Sequence, residues 1–181
     1  MKSRVVIGWA IAAILLAATA IAAEKEGKSS TFKGLVSVAK ANGRTTSITL
    51  VTDKEHYDVV MDQRGLDLSE RMPNKKVEVT GFVTERDGRK LLTVQSYMPI
   101  VTGTVEAVSD SEGRITMVTL HSNEGDYIVM LDTNGIELGK KMNGKTVEVV
   151  GAVREKEQKG RGVEREFIVK NYSEVQESRS K

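Results

Sequence analysis

The sequence predicts an all-β protein made of two similar halves, each with five strands and one short helix. Two observations lead to this fold class. Short segments rich in β-branched residues alternate in polarity and end at turn-forming residues. The chain also repeats itself, because fifteen of thirty-nine pairs are identical when residues 46–84 are placed on residues 116–154. This self-similarity indicates a tandem duplication.

The strands of the first half are expected at 32–40, 45–52, 56–61, 77–83 and 91–95. Asn42 and Gly43, between the first two strands, form a hairpin signal. Between the third and fourth strands, Leu68 and Met72 follow Gly65 at helical spacing, which predicts one or two helical turns. Asp62 comes just before these turns and is expected to cap them by accepting a backbone N–H bond.

The second half repeats this order, with strands expected at 103–109, 115–122, 127–131, around 147–153 and at 166–170. Asp132 repeats the cap and Tyr127 repeats Tyr57, both tyrosines having the parity of core positions. The repeat predicts two domains, at 32–98 and 102–175, joined by a short linker over 97–101. A charged connection, taken as a solvated flexible hairpin, is expected over 154–166, and a polar, disordered tail over 176–181.

Three strands, a helical link and two more strands is the order of an OB-fold, a small five-stranded barrel. An SH3-like barrel is the alternative, and the helical link favours the OB-fold. Gly34 and Gly103 in the first strands, with Gly81 and Gly151 in the fourth strands, are expected at the bulges that let such a barrel close.

Part of each repeat resembles a known family. Tyr57, Asp62 and Gly65 followed by the run 76–83 resemble the bacterial OB-fold (BOF-like) proteins of the periplasm, which are associated with stress tolerance. The second copy resembles them in the equivalent residues, so the chain looks like a tandem duplication of that unit. The resemblance implies the fold and an exported location, and it brings no catalytic residues.

Residues 1–23 differ from the rest of the chain. Lys2 and Arg4 are followed by an uncharged apolar run that ends in small residues. This is the pattern of a secretory signal peptide, with cleavage expected after Ala22 or Ala23. An uncleaved membrane anchor is the alternative. We therefore expect a periplasmic or secreted protein, with membrane contact only through this segment if it is retained.

Charge and composition exclude several classes of function. Without Lys2 and Arg4 the 27 basic residues fall to 25, which equals the number of acidic residues. A net charge of zero provides no overall field for a polyanion, so nucleic acid is not expected as a partner. The chain has no cysteine, and therefore neither a disulfide nor a thiolate metal site.

Candidate catalytic residues are sparse. His56 and His121 lie near strand ends among acidic residues, where a solvated hairpin tip is favoured over a cation site or an acid–base pair. No segment matches a nucleophile elbow, a calcium loop, a zinc-binding helix or a phosphate-binding glycine cluster. We expect a protein that is not an enzyme and has no cofactor or metal.

One predicted surface is a candidate binding face. The side chains expected to point outward from the second and third strands of the second half are Met117, Thr119, His121, Ile128 and Met130. Exposed apolar patches rich in methionine suit adaptable contacts, whereas packing against the other half is the alternative. The sequence thus predicts an exported binding or adaptor protein for protein partners. A periplasmic stress-tolerance protein that binds a small ligand or cation is the alternative.

Overall fold

The structure is a computed structural model, and it describes residues 28–158 and 162–176. The expected signal peptide, and residues 177–181 of the expected tail, lie outside the described residues. In the described part of the chain, neither helix is long and apolar enough to cross a membrane.

The described part of the chain is all-β with two short helices, as the sequence predicts, and one helix follows the third strand of each half. The elements are, in order, β1 (Ser30–Ala41), β2 (Arg44–Val51), β3 (His56–Val59), α1 (Gln63–Arg71), β4 (Lys76–Arg86), β5 (Arg89–Ser109), β6 (Ile115–Ser122), β7 (Gly125–Val129), α2 (Thr133–Met142), β8 (Thr146–Gln158) and β9 (Gly162–Glu174). The hairpin signal at Asn42 and Gly43 is confirmed, because both residues have positive φ angles, of 52° and 77°.

The strand pairing is OB-like in both halves. In the first half β1 pairs with β2 and β4, β2 with β3, β3 in parallel with β5, and β5 with β4. These five pairings form a closed ring of strands. In the second half β5, β6, β7, β9 and β8 form an equivalent ring, with β7 and β9 parallel.

The expected linker is not a linker. Residues 97–101 lie inside β5, a single strand of 21 residues whose first part belongs to one ring and whose last part belongs to the other. Pro99 pairs with Val77 on β4, and Ile100 pairs with Val150 on β8. Ile100 and Val150 are both buried where the two rings meet. This packing favours a fixed orientation of the two halves.

The expected hairpin over 154–166 is present, but it is strand-paired where a flexible loop was expected. Here β8 and β9 continue as a paired hairpin arm, with Arg154 opposite Glu166 and Glu155 opposite Arg165. Residues of opposite charge face each other across this arm, and Lys156 on β8 forms an ion pair with Glu166 on β9 at 3.0 Å.

Each half has its own apolar core. One cluster of buried residues includes Val36, Leu50 and Leu92, and a second includes Val105, Leu120 and Phe167. Tyr57 and Tyr127 are buried in the two clusters, as their parity predicts. The alternation of the strands explains this burial, since a side chain at every second position faces a ring interior.

The helix caps are confirmed. The carboxylate of Asp62 accepts a hydrogen bond from the Gly65 backbone N–H at 2.8 Å, and Asp132 accepts one from Gly135 at 2.9 Å. Both aspartates have extended backbone angles, the conformation of a residue that precedes a helix. The recurring aspartates are therefore structural.

The glycine predictions are half right. The register shifts in the fourth strands fall at Gly81 and Gly151, as expected of bulges. Gly34 and Gly103 are not at bulges. A Cβ at Gly34 would lie 2.5 Å from the carbonyl oxygen of Val51, so these glycines allow close approach of two backbones instead.

Candidate functional site

The predicted binding face lies on the outer surface of β6 and β7. Met117, Ile128 and Met130 are exposed there, as the sequence predicts. Thr119 is different, because only 7 % of it is exposed. Its cross-strand neighbours Glu106 and Ile128 flank it on both sides of the same face. Thr119 therefore supports this face and is not accessible to a ligand.

His121 is the polar centre of this face. Its Nε2 lies 2.8 Å from the Glu106 carboxylate and its Nδ1 lies 2.9 Å from the Asp126 carboxylate. Hydrogen bonds to Glu106 and then to Asp126 raise the pKa of His121, because both carboxylates stabilise the imidazolium. Among the described residues, no group of three or more His, Asp and Glu side chains is arranged to hold a metal ion.

This face carries more acidic than basic groups. Glu106 and Asp126 flank His121, and Glu166 on β9 is the register partner of Ile128. Lys156 pairs with Glu166 at 3.0 Å and compensates one of the three carboxylates. A phosphate backbone would be repelled here, so the predicted face does not suit a polyanion.

A second concave surface lies where the two halves meet. Three cavities surround Lys76 and Ile100, and the largest has a volume of about 430 Å³. We call this largest cavity the junction cleft. Its charged and aromatic lining consists of Arg71, Lys75, Lys76, Glu124, Tyr127, Glu155 and Arg165. Pro99, Ile100 and Val101 of β5 also line the cleft.

Ion pairs connect the two halves beside this cleft. The Nζ of Lys75 lies 2.7 Å from Glu124, and the Nζ of Lys76 lies 2.6 Å from Glu148. Both lysines follow α1 in the first half, whereas both glutamates belong to the second half. The first half thus supplies cations to the cleft, and the second half neutralises part of their charge.

Arg165 is a different kind of cation in the same cleft. Its guanidinium carbon lies 4.5 Å from the centroid of the Tyr127 ring, a cation–π geometry. Its Nη1 donates a long hydrogen bond, 3.5 Å, to the Tyr127 hydroxyl. Within the described part of the chain, no carboxylate lies within ion-pair distance of this guanidinium.

The sequence prediction missed this cleft. Lys75 and Arg165 are ninety positions apart, and only the ring closure of the second half brings β9 next to β7. One signal was present in the repeat itself. Glu55 aligns with Gly125, and Lys90 aligns with Arg165, so the second copy keeps a cation and loses the carboxylate beside it.

The chain is similar to several solved structures, although no family model and no curated protein matches it. One is the wild-type single-stranded DNA binding protein from Thermus aquaticus, at 11% identity and a TM-score of 0.31, covering 84% of this chain and 95% of that chain. Another is tetrameric p202 HIN2, at 12% identity and a TM-score of 0.31, covering 84% and 100%. A third is a murine DNA binding protein bound with double-stranded DNA, at 9% identity and a TM-score of 0.24, covering 76% and 93%.

These neighbours contradict two expectations from the sequence. We expected protein partners, with small ligands or cations as the alternative, and we did not expect nucleic acid. Proteins named for binding single-stranded or double-stranded DNA stand against both expectations. At such identities and TM-scores the neighbours supply no equivalent residues, so a site on this chain has to be identified from its own side chains.

The net charge of zero was misleading because it averages two halves of opposite sign. Residues 28–101 contain twelve Lys and Arg against nine Asp and Glu, a net charge of +3. Residues 102–176 contain ten Lys and Arg against thirteen Asp and Glu, a net charge of −3. A polyanion therefore meets an attractive half and a repulsive half, which a single total cannot reveal.

Proposed function

We propose that this chain is a non-catalytic nucleic-acid-binding protein. It binds a single nucleic-acid strand at the junction cleft, and that nucleic-acid strand extends over the first half of the protein. The observation that carries this proposal is the convergence of Arg71, Lys75, Lys76 and Arg165 on one concave surface. Lys and Arg that track a groove are the electrostatic basis of single-strand binding.

The charge distribution supports binding to the first half. The basic first half attracts phosphates, and the acidic residues Glu106 and Asp126 keep them away from the β6–β7 face of the second half. A nucleic-acid strand that leaves the cleft is therefore directed toward β1–β4. This placement on the first half follows from charge alone and requires no contact with a base.

The ion pairs beside the cleft do not prevent binding. Lys75 and Lys76 are partly exposed, and exposed ion pairs contribute only about 0–1 kcal/mol. Exchanging Glu124 or Glu148 for a phosphate oxygen therefore costs little. Release of counterions from the nucleic acid supplies the favourable free energy, so binding should weaken steeply as salt rises.

The size and lining of the cleft favour a single strand without sequence preference. A volume of about 430 Å³ is that of a pocket for a small ligand, which a duplex does not enter. The Tyr127 ring is buried, so no free aromatic face in the cleft stacks a base. The cleft therefore contacts the sugar–phosphate backbone of the nucleic acid and not its bases.

The test is fluorescence anisotropy of a labelled thymidine 20-mer with the full chain, titrated from low to physiological salt. The variant is Lys75→Gln/Lys76→Gln. Its matched control is Lys140→Gln/Lys141→Gln, which removes two adjacent lysines from α2 of the acidic half. Thermal melting checks that both variants remain folded.

Losing two phosphate contacts should weaken binding about tenfold and reduce the slope of log affinity against log salt by about 1.4. The control should bind within about twofold of the wild type, because Lys140 and Lys141 lie on α2 and do not line the junction cleft. The proposal is wrong if the wild type does not bind at low salt, or if both double variants lose affinity equally.

The proposal includes the organisation of the chain. We take the two strand rings as tandem OB-like barrels that share β5 and arose by duplication of a BOF-like unit. The basic start and apolar run of residues 1–23 support export with cleavage after Ala22 or Ala23. Mass spectrometry of the protein from the extracytoplasmic fraction should give an N-terminus at Ala23 or Glu24, whereas an intact N-terminus there would indicate the anchor.

A further inference from the structure

We propose that Arg165, held over the Tyr127 ring, is the side chain that binds a phosphodiester of the bound nucleic-acid strand in the junction cleft. This inference rests on the proposed function, and it names the residue that fixes the strand in place. Its basis is a difference between the two halves at equivalent positions.

In the first half the equivalent cation is neutralised. The Tyr57 hydroxyl donates to the Glu55 carboxylate at 2.8 Å, and Lys90 pairs with the same carboxylate at 2.6 Å. The hydrogen bond from Lys90, and then the one from Tyr57, lower the pKa of Glu55. Tyrosine, glutamate and lysine thus satisfy one another at the end of the first ring.

In the second half the carboxylate is gone. Gly125 stands where Glu55 stands in the first half, and Arg165 stands where Lys90 does. The tyrosine is kept as Tyr127. The same place in the fold therefore holds a guanidinium over a tyrosine ring instead of a closed ion pair.

Gly125 is required for the position of this guanidinium. A Cβ at residue 125 would lie 2.3 Å from Nη2 of Arg165, so any other residue would push the side chain away. Gly125 also has a φ of +102°, which disfavours other residues. The glycine and the arginine form one structural unit that places a cation over an aromatic ring.

Most donors of Arg165 are free to bind a ligand. A guanidinium has five N–H donors, and the described residues use one of them, in the long bond to Tyr127. Its cross-strand neighbour Glu155 lines the same cleft without forming an ion pair with it. By contrast, Arg71 already pairs with Asp67 at 2.7 Å, and Lys75 pairs with Glu124.

Arginine suits a phosphate better than lysine does here. Its planar fork offers two parallel N–H donors to two phosphate oxygens, and the contacts with Tyr127 restrict the rotation of that fork. An anion bound to it lies in the cleft next to Lys75 and Lys76, which also line it. The shared chemistry is a phosphate oxyanion, which either a nucleic-acid backbone or free phosphate carries.

The experiment uses the full chain and the thymidine 20-mer, with Arg165→Gln and Arg165→Lys compared against Lys90→Gln, the equivalent change in the first half. We expect Arg165→Gln to weaken binding about tenfold and to reduce the salt slope by about 0.7, one phosphate contact. Arg165→Lys should recover only part of the loss. Lys90→Gln should stay within about twofold of the wild type.

NMR of the arginine Nε–H groups gives a signal that the 20-mer would leave unchanged if Arg165 had only a structural role. The Arg165 signal should shift on adding the 20-mer and should be unaffected by sodium chloride alone. Shifts with inorganic phosphate but not with the 20-mer would overturn the assignment to a phosphodiester. If Lys75→Gln/Lys76→Gln loses affinity and Arg165→Gln does not, this inference fails while the proposed function stands. Absence of any binding by the wild type would overturn both.

Discussion

The Nζ of Lys170 lies 2.9 Å from Oε1 of Glu78, and this ion pair joins β9 to β4, two strands that are not hydrogen-bonded to each other. The Glu78 side chain is only 10 % exposed, whereas that of Lys170 is 52 % exposed. Together with the ion pairs of Lys75 and Lys76, it connects the first half to the second. The halves are therefore joined by charge as well as by backbone.

We expect a measurable coupling between Glu78 and Lys170. In a double-mutant cycle with Glu78→Gln and Lys170→Gln, the coupling free energy of unfolding should be about 1 kcal/mol, because Glu78 is shielded from solvent. The control is the pair Lys145 and Glu174, in which both side chains are about half exposed. That pair should couple by only a few tenths of a kcal/mol. Equal couplings in urea titrations would contradict this prediction.

The two cap aspartates offer a test of symmetry between the halves. Asp62→Ala and Asp132→Ala each remove an acceptor for a backbone N–H at a helix start and should each cost about 1 kcal/mol of unfolding free energy. Asparagine at either position keeps an acceptor oxygen and should cost much less. Urea titrations of the four variants give the measurement. A loss from Asn as large as that from Ala would rule out capping as the cause.

Stability should depend on pH through His121. Its pKa is raised in the folded protein, so the folded state holds this proton more tightly than the unfolded state does. The contribution is complete below the ordinary histidine pKa of about 6.5 and is lost as pH rises through the higher folded value. His121→Gln should therefore remove a loss of melting temperature that the wild type shows above that pH.

The control for this prediction is His56→Gln. His56 lies at the start of β3, and the described part of the chain supplies no hydrogen-bond partner for its ring. This variant should keep the pH dependence of the wild type. If His56→Gln removes the fall of melting temperature with rising pH and His121→Gln does not, the two carboxylates around His121 are not the source of this pH dependence.

Local signals in the sequence predicted most of the fold. Alternation places Val36, Leu50 and Val77 in the first core, and the aspartates precede the helices as their chemistry requires. The continuity of β5 was not predictable in this way. Proline at position 99 is typical of a strand boundary. Pro99 nevertheless pairs with β4, and the next residue, Ile100, pairs with β8, so this segment is part of a continuous strand. That pairing is a non-local property.

The candidate site was harder to predict for the same reason. Outward parity correctly placed Met117 and Met130 at the surface, whereas the burial of Thr119 depends on neighbours from two other strands. The junction cleft combines residues from β4, β7 and β9. The sequence signal for this cleft was the difference between the two copies, in which Gly125 takes the place of Glu55.

Two glycines of α2 are close to different kinds of neighbour, one to a backbone carbonyl and the other to a side chain. A Cβ at Gly135 would lie 1.9 Å from the carbonyl oxygen of Met130, whereas one at Gly139 would lie 2.6 Å from the end of the Val118 side chain. The Met130 backbone is held by its N–H, which donates to the Phe167 carbonyl at 2.9 Å. It therefore cannot move away without loss of the link between β7 and β9.

Gly135→Ala should accordingly lower the free energy of unfolding by about 3 kcal/mol, since overpacking against a fixed backbone is costly. Gly139→Ala should lower it by only about 1 kcal/mol, because the end of the Val118 side chain can shift more easily than a backbone carbonyl and alanine gains helix propensity. Both substitutions add one methyl group to the same helix, so the difference measures the neighbour alone. Equal losses in urea titrations would show that the carbonyl of Met130 is not the constraint.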